Sequence, residues 1–300
     1  MKLHMTARYT ILILLLHITT LAGSITAEFE NDLFAHTDYN YTNGVRVTYT
    51  TAPSLQRFFL LPHPPTSESH SWFQWMYTPR DIENPDPQLD DRPWAGMVGY
   101  TYTIMTQHGR SFWEAGLQTG IIGPSAYTKE TQTIVHRVFS SRHPVGWHNQ
   151  LSDYPVVNAL YSYKYKAIDT NTFDTIVGIR GVAGSSLVYA GTDIQTRLGI
   201  NIPNDYGRRR NEPVPFVVSR PSSFYLLTHL DGRAIAYNHT IDGARDHDIS
   251  REIFVLDTTI GIGADFRNWS LVLSHTWRTK EFDTQDTVHR FGTVSVTRRL

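Results

Sequence analysis

The sequence predicts an all-β protein, a transmembrane antiparallel β-barrel of about twelve strands with a short helix in the long third outward loop. Three observations carry this expectation. Apolar and polar residues alternate with period two over runs of about ten or more residues, the length a tilted membrane strand needs. Aromatics make up 12% of the chain (16 Tyr, 14 Phe, 7 Trp), although only 18% is charged and 40% hydrophobic. They gather near strand ends, where membrane barrels carry interfacial girdles. Finally, Met1 to Ala27 has the form of a secretory signal. Lys2 and Arg8 give a positive start, Ile11 to Leu16 an apolar centre, and Ala22, Gly23, Ser24 and Ala27 the small residues that follow. The apolar run falls short of the roughly 20 residues of a membrane-spanning helix. The signal is expected to occupy 1–23, its end falling as late as 27, and the barrel 24–300. A soluble sandwich competes, but its strands would average about 5–6 residues.

The strands follow in order. Ser24–Leu33, Thr42–Thr51, Trp72–Thr78, Trp94–Gln107 and Gly109–Ile122 come first. Next, Val157, Ala159, Tyr161, Tyr163 and Tyr165 share one face, with Asn158, Ser162, Lys164 and Lys166 opposite. Phe173–Ser186, Tyr189–Ile202, Ser223–Tyr237 and Arg251–Phe266 are similar runs. Trp269, Leu271, Leu273 and Trp277 share a face of the next, and Thr284–Arg298 closes the set. A bilayer offers no water to a sheet edge, so such a sheet must close. With both chain ends in the periplasm, the outward loops are 34–41, 79–93, 123–156, 187–188, 238–250 and 278–283. Gln107–Gly109, Ile168–Thr172 and Arg267-Asn268 fit short periplasmic turns. Two periplasmic connections, 52–71 and 203–222, are long and proline-rich. Arg208-Arg209-Arg210 lies in the second and is expected to be a solvated turn without a role.

Composition narrows the chemistry. There is no cysteine, which excludes disulfides, zinc-thiolate sites and a cysteine nucleophile. Lys and Arg total 27 against 28 Asp and Glu, so charge gives no reason to expect nucleic acid. A secreted chain without cysteine suits a bacterial envelope. Candidate chemistry gathers at the outward end. In the third outward loop, Ala126 to Phe139 has helical spacing, and Gln132 and His136 at i, i+4 share a face. His136 is either a base poised near neutral pH or a packed helix histidine. Asn31, Asp32, Thr37, Asp38 and Thr42 bring oxygens to the rim, suiting either a hard cation such as Ca²⁺ or turn capping. Asp91-Arg92 fits an ion-pair network that organises the rim.

These residues fall into short groups: Glu30-Asn31-Asp32, Tyr41-Thr42-Asn43-Gly44, Asp91-Arg92-Pro93-Trp94-Ala95-Gly96 and Gly120-Ile121-Ile122-Gly123-Pro124. Gln132 with His136-Arg137, and Trp147 with Asn149-Gln150-Leu151, complete them. In order and spacing the set resembles the LpxR family of lipid A 3'-O-deacylases, most densely from Asn31 to Asn158. The resemblance implies a twelve-stranded bacterial outer-membrane barrel that uses Ca²⁺ to remove the 3'-linked acyloxyacyl group from lipid A of lipopolysaccharide. It implies that Asn31 and Asp32 match the functional Asn-Asp pair, with Ca²⁺ near them, and that Thr42 matches a functional polar residue. It further implies His136 as general base and Gln132 as a supporting residue. The family's Lys-Arg pair has no clean counterpart; Arg80 and Arg92 are the candidates for lipid phosphate. An acid expected shortly after the histidine is missing, and Arg142 stands near there. An outer-membrane phospholipase using a Ser-His pair and a non-catalytic envelope barrel are the alternative readings. A barrel of this size is small for an open pore, which typically takes 16–18 strands.

Overall fold

The computed structural model describes residues 23–35, 39–139, 143–210, 212–213 and 221–300. Apart from Gly23, the expected signal 1–23 lies outside them, as do Thr37, Asp38 and Arg142. Twelve antiparallel strands form one closed barrel in which every neighbour in sequence is a neighbour in space. They are β1 (Gly23–Asn31), β2 (Asn40–Thr51), β3 (Ser67–Thr78), β4 (Ala95–His108), β5 (Ser111–Ile122) and β6 (Tyr154–Asp169). Then come β7 (Phe173–Gly184), β8 (Leu187–Ile200), β9 (Ser223–Asn238), β10 (Phe254–Phe266), β11 (Trp269–Arg278) and β12 (His289–Arg299). Closure is made by β1 on β12, from Ser24 opposite Arg299 to Asn31 opposite Gly292.

Period-two alternation sets the two faces of the wall. On β2, Val45 and Val47 are exposed while Arg46, Thr48 and Thr50 are buried inside. Leu117, Val157, Ile179, Leu226, Leu230 and Leu271 continue the outer apolar face. This is the inversion that a bilayer imposes, with lipid as the outer solvent and polar side chains within. The aromatics divide between the surfaces. Trp72, Phe224, Phe254, Phe266 and Trp269 face outward and are exposed, whereas Tyr41, Phe112, Tyr225 and Phe291 are buried. Strand β3 begins five residues before the expected Trp72, at Ser67. Its first inward positions are Ser67, Ser69 and Ser71, which hydropathy does not mark. Strands β10 and β12 begin later than expected, at Phe254 and His289.

The outward connections are 32–39, 79–94, 123–153, 185–186, 239–253 and 279–288, close to the expected set. The helix α1 (Thr128–Phe139) lies in the third of them, as expected; a four-residue helix α2 (His239–Asp242) lies in the fifth.

The periplasmic segment 201–222 corrects the reading of its arginines as solvated and without a role. Its described part runs into the lumen. Arg208 donates to Ser270 at 2.8 Å, and to Ser295 and Thr297 at 3.1 Å. Arg209 pairs with Asp193 and, at 3.1 Å, with Glu212, and Glu212 meets Lys164 at 2.8 Å. Arg210 grips Glu30. Burial alone would raise the Glu212 carboxyl, but Arg209, Lys164 and Arg180 hold it well below the usual carboxylate range. A buried charge is tolerated only when paired and hydrogen-bonded. Two inward carboxylates, Asp193 and Glu30, receive Arg209 and Arg210, and inward hydroxyls of β11 and β12 receive Arg208.

Candidate active site

The site starts where β1 ends. Asn31 is its last residue, and Asp32 opens a short 3-10 turn, Asp32–Ala35. The Asn31 side-chain oxygen accepts the Leu33 amide at 2.7 Å. The wholly buried Asp32 carboxylate accepts the Tyr39 amide at 2.7 Å. Both side chains therefore do the turn work that Asn and Asp favour.

Strand β2 opens with Asn40 at φ 64°, a left-handed conformation that asparagine tolerates. The register against β3 then shifts between Tyr41 and Asn43, leaving Thr42 as the extra residue of a β-bulge. The bulge changes which way Thr42 faces. Even-numbered residues of β2 point into the lumen, as Gly44, Arg46 and Thr48 do, yet Tyr41 is the inward residue at this end. Its hydroxyl donates to Glu30 at 2.5 Å. Thr42 turns to the outer side of the wall and shares a 2.7 Å hydroxyl contact with Thr78, the last residue of β3.

The helix sits on that same outer side. Gln74, which shares the outer face of β3 with Thr78, donates to the Ala126 carbonyl at 2.8 Å. Gly96, on the outer face of β4, is where Thr128 of α1 touches the wall. A Cβ at Gly96 would fall 1.7 Å from Thr128 Oγ1 and 2.6 Å from its Cβ. The Gly123 amide donates to the Gly96 carbonyl at 2.9 Å, at a φ of 115° that only glycine adopts freely. Asp153 holds the turn by accepting the Ser125 amide at 2.9 Å and its hydroxyl at 2.6 Å, and these bonds lower its pKa.

The aromatic pair of the motifs locks the helix. Trp94 and Trp147 lie with ring centroids 4.8 Å apart and form a buried cluster with Met76 and Ile82. The Trp147 indole donates to Gln132 Oε1 at 2.7 Å. An indole N–H only donates, so this bond fixes the Gln132 amide with its oxygen toward Trp147. Its Nε2 is buried and has no protein partner among the described residues. His136 is one turn further along the same face and is also buried.

Thus Asn31, Asp32, Thr42, Gln132 and His136 all lie at the outward rim, on or beside strands β1 to β5. The two arginines go elsewhere. Arg92 is wholly buried, its guanidinium 4.3 Å from the Tyr77 ring centroid, 3.4 Å from Glu281 and 3.3 Å from the Thr240 hydroxyl. It joins three outward connections to the wall, the ion-pair role read for Asp91-Arg92. Asp91 adds to this by accepting the Arg80 amide at 2.7 Å. Arg80 is the solvent-reaching guanidinium of the two, and it pairs with Asp286 at 2.6 Å. Thr78 and Glu30 belong to the site's surroundings and were not singled out as site residues. Only the register of β2 on β3 reveals Thr78, whereas Glu30 stands in the Glu30-Asn31-Asp32 group.

Asn31 and Asp32 offer side-chain oxygens, the ligand type that suits a hard cation such as Ca²⁺. Among the described residues, no three His, Cys, Asp or Glu side chains stand together as a metal site. A Ca²⁺ held here takes roughly 6–8 oxygens, so most of them would come from main-chain carbonyls, water or lipid.

Fold and rim together define a transmembrane β-barrel of the bacterial outer membrane, with a polar site on its outer wall beneath a helix. The chain belongs to the LpxR family: the family described as outer membrane protein LpxR matches residues 9–300. The solved structure of LpxR from Salmonella typhimurium is similar at a TM-score of 0.77 and 17% identity, covering 92% of this chain and 100% of that one. At that identity the likeness concerns the fold. The beta domain of the Bordetella autotransporter BrkA (TM-score 0.45, 9% identity, 93% of this chain and 100% of that one) is a more distant likeness. The KdgM porin is another (0.42, 7%, 92% and 99%). Among curated proteins there is no significant match.

Proposed function

We propose that this protein is an outer-membrane hydrolase that removes the 3'-linked acyloxyacyl group of lipid A in the outer leaflet. The observation that carries the reading is the fixed Gln132 amide, one turn from His136, on a helix seated on the lipid-facing side of the wall. A buried N–H₂ left without a protein partner is costly, and a substrate carbonyl or oxyanion would satisfy it. In this reading His136 takes a proton from water, which attacks the ester carbonyl, and returns it to the 3'-oxygen of the sugar as the acyl C–O bond breaks and the fatty acid leaves. Gln132 Nε2 donates to the oxygen that gains charge. Thr42, turned outward by its bulge and paired with Thr78, orients the water or the ester. Asp32 and Asn31 would hold Ca²⁺, which would supply positive charge to an ester carbonyl beside it. Arg80 is the better candidate for a lipid phosphate, because Arg92 is spent on Glu281. The described residues of 201–213 enter the lumen and are held there by ion pairs to the wall, which argues against an open pore.

The test is incubation of the purified barrel with lipid A, in Ca²⁺ or in EDTA, with products read by mass spectrometry. Loss of the 3'-linked group in Ca²⁺ and not in EDTA is expected. His136→Ala should abolish the loss while the barrel keeps its heat-modifiable migration. An unchanged lipid profile for the wild type in Ca²⁺ refutes the reading.

A further inference from the structure

The segment that enters the lumen from the periplasmic side carries Arg210 to a position directly under the rim. Arg210 Nε lies 2.7 and 2.8 Å from the two carboxylate oxygens of Glu30. Its guanidinium is held over the rings of Tyr41 at 4.4 Å and Phe291 at 4.8 Å. Glu30 is buried and also accepts the Tyr41 hydroxyl at 2.5 Å and the Thr293 hydroxyl at 3.1 Å. Its main-chain carbonyl accepts from the Asn43 side-chain Nδ2 at 3.1 Å. Gly44 leaves the space this needs, since a Cβ there would stand 1.8 Å from the Tyr41 hydroxyl.

Two partners in this cluster adjoin site residues. Glu30 directly precedes Asn31 and Asp32, and Tyr41 directly precedes Thr42. Tyr41 faces inward only because the bulge turns Thr42 outward, so the inward bond and the outward threonine are two sides of one backbone geometry. From this we infer that Arg210 is a positioning residue. It acts through Glu30 and Tyr41, from inside the barrel, to hold the ends of β1 and β2 in the geometry that presents Asn31, Asp32 and Thr42 on the outer wall. The inference rests on the deacylase reading for its kinetic consequence but not for its structural one.

Without Arg210, Glu30 becomes a buried carboxylate that has lost its cation, and such a group draws water or moves. Its motion passes to Asn31 along the chain and to Tyr41 through their hydrogen bond. A displacement of about 1 Å at reacting groups can cost on the order of 100-fold in rate.

The experiment compares wild type, Arg210→Met, Arg210→Lys and the double variant Glu30→Gln with Arg210→Met, all as full-length folded barrels. Two readouts are taken: kcat and KM on lipid A, and amide hydrogen exchange over residues 28–43. Arg210→Met should lower kcat at least about tenfold with KM changed less than about twofold. It should also accelerate exchange in 28–43 and not in β6 to β10. Arg210→Lys, with a point charge in place of the fork, should fall between. The double variant, which removes both charges and keeps an acceptor for Tyr41, should recover most of kcat and the protection. The inference is overturned by wild-type kcat and exchange in Arg210→Met, by exchange that rises throughout the barrel, or by failure of the double variant to recover. If wild-type protein leaves lipid A untouched, the deacylase reading fails alone and hydrogen exchange still decides the role of Arg210.

Discussion

Gly96→Ala is the sharpest probe of how the helix is seated. The wall and α1 touch at this residue, and the methyl group it adds has no room. The new Cβ would fall 1.7 Å from Thr128 Oγ1 and 2.6 Å from both Cβ and Cγ2. Rotating the threonine can move Oγ1 and Cγ2, but the threonine Cβ is fixed by the helix backbone. Relieving that contact to an ordinary carbon separation of about 3.5–4.0 Å requires the first turn of α1 to retreat by roughly 1 Å. Overpacking of this kind costs about 1–3 kcal/mol. The cost falls on the outward loop, since Gly96 lies at the end of β4 and the ladder with β5 begins beyond it, at Met97 opposite Ile122. Moving Gln132 and His136 outward by that distance is expected to lower lipid A turnover by roughly 10- to 100-fold. The assay is initial rate by mass spectrometry, with heat-modifiable migration as the control for the barrel. Thr128→Gly removes all three opposing atoms, so the double variant should regain most of the rate. Wild-type turnover in Gly96→Ala, or no recovery in the double variant, would refute the account of how the helix is seated.

Other outcomes follow from the same geometry. Thr42→Val keeps the shape of the bulge but removes the hydroxyl shared with Thr78; turnover should drop at least about tenfold with migration unchanged, read by the same assay. Trp147→Phe leaves Gln132 Oε1 without its donor, at a cost of about 1–3 kcal/mol. Limited proteolysis should then cut 123–153 faster. Glu281 gives a pH dependence. Burial opposes its charge, but Arg278 and Arg92 hold its carboxyl below the usual range, so its contribution is full above the ordinary glutamate pKa. That contribution is lost as pH falls through the lower folded value. Pepsin cleavage of the outward connections should therefore increase only below about pH 4, and Glu281→Gln should flatten this response.

The strands were legible because membrane burial writes itself as period two. Val45 and Val47 against Arg46 and Thr48 can be read without coordinates. It failed at the start of β3, where serines line the inside and no contrast remains. The helix with Gln132 and His136 was legible from spacing of 3.6. That Gln132 is clamped by Trp147, fifteen positions on, was not, because a hydrogen bond between two loop segments leaves no local pattern. Arg92 looked available for a phosphate, and the fold places it at 0% exposure against Glu281, nearly two hundred positions away.

By itself, then, the sequence determined that this chain forms a closed barrel, which end of it carries the polar residues, and which helix bears the histidine. All of these follow from local rules of alternation, turn chemistry and helical spacing. The tertiary structure alone decided which side of the wall the site occupies and what supports it. A single bulged residue reverses the facing of Thr42, and a carboxylate at position 30 meets its arginine at position 210 only after the barrel has closed. The physical reason is that charge pairing and packing act through space, and a strand's register, unlike its periodicity, is set by its neighbours.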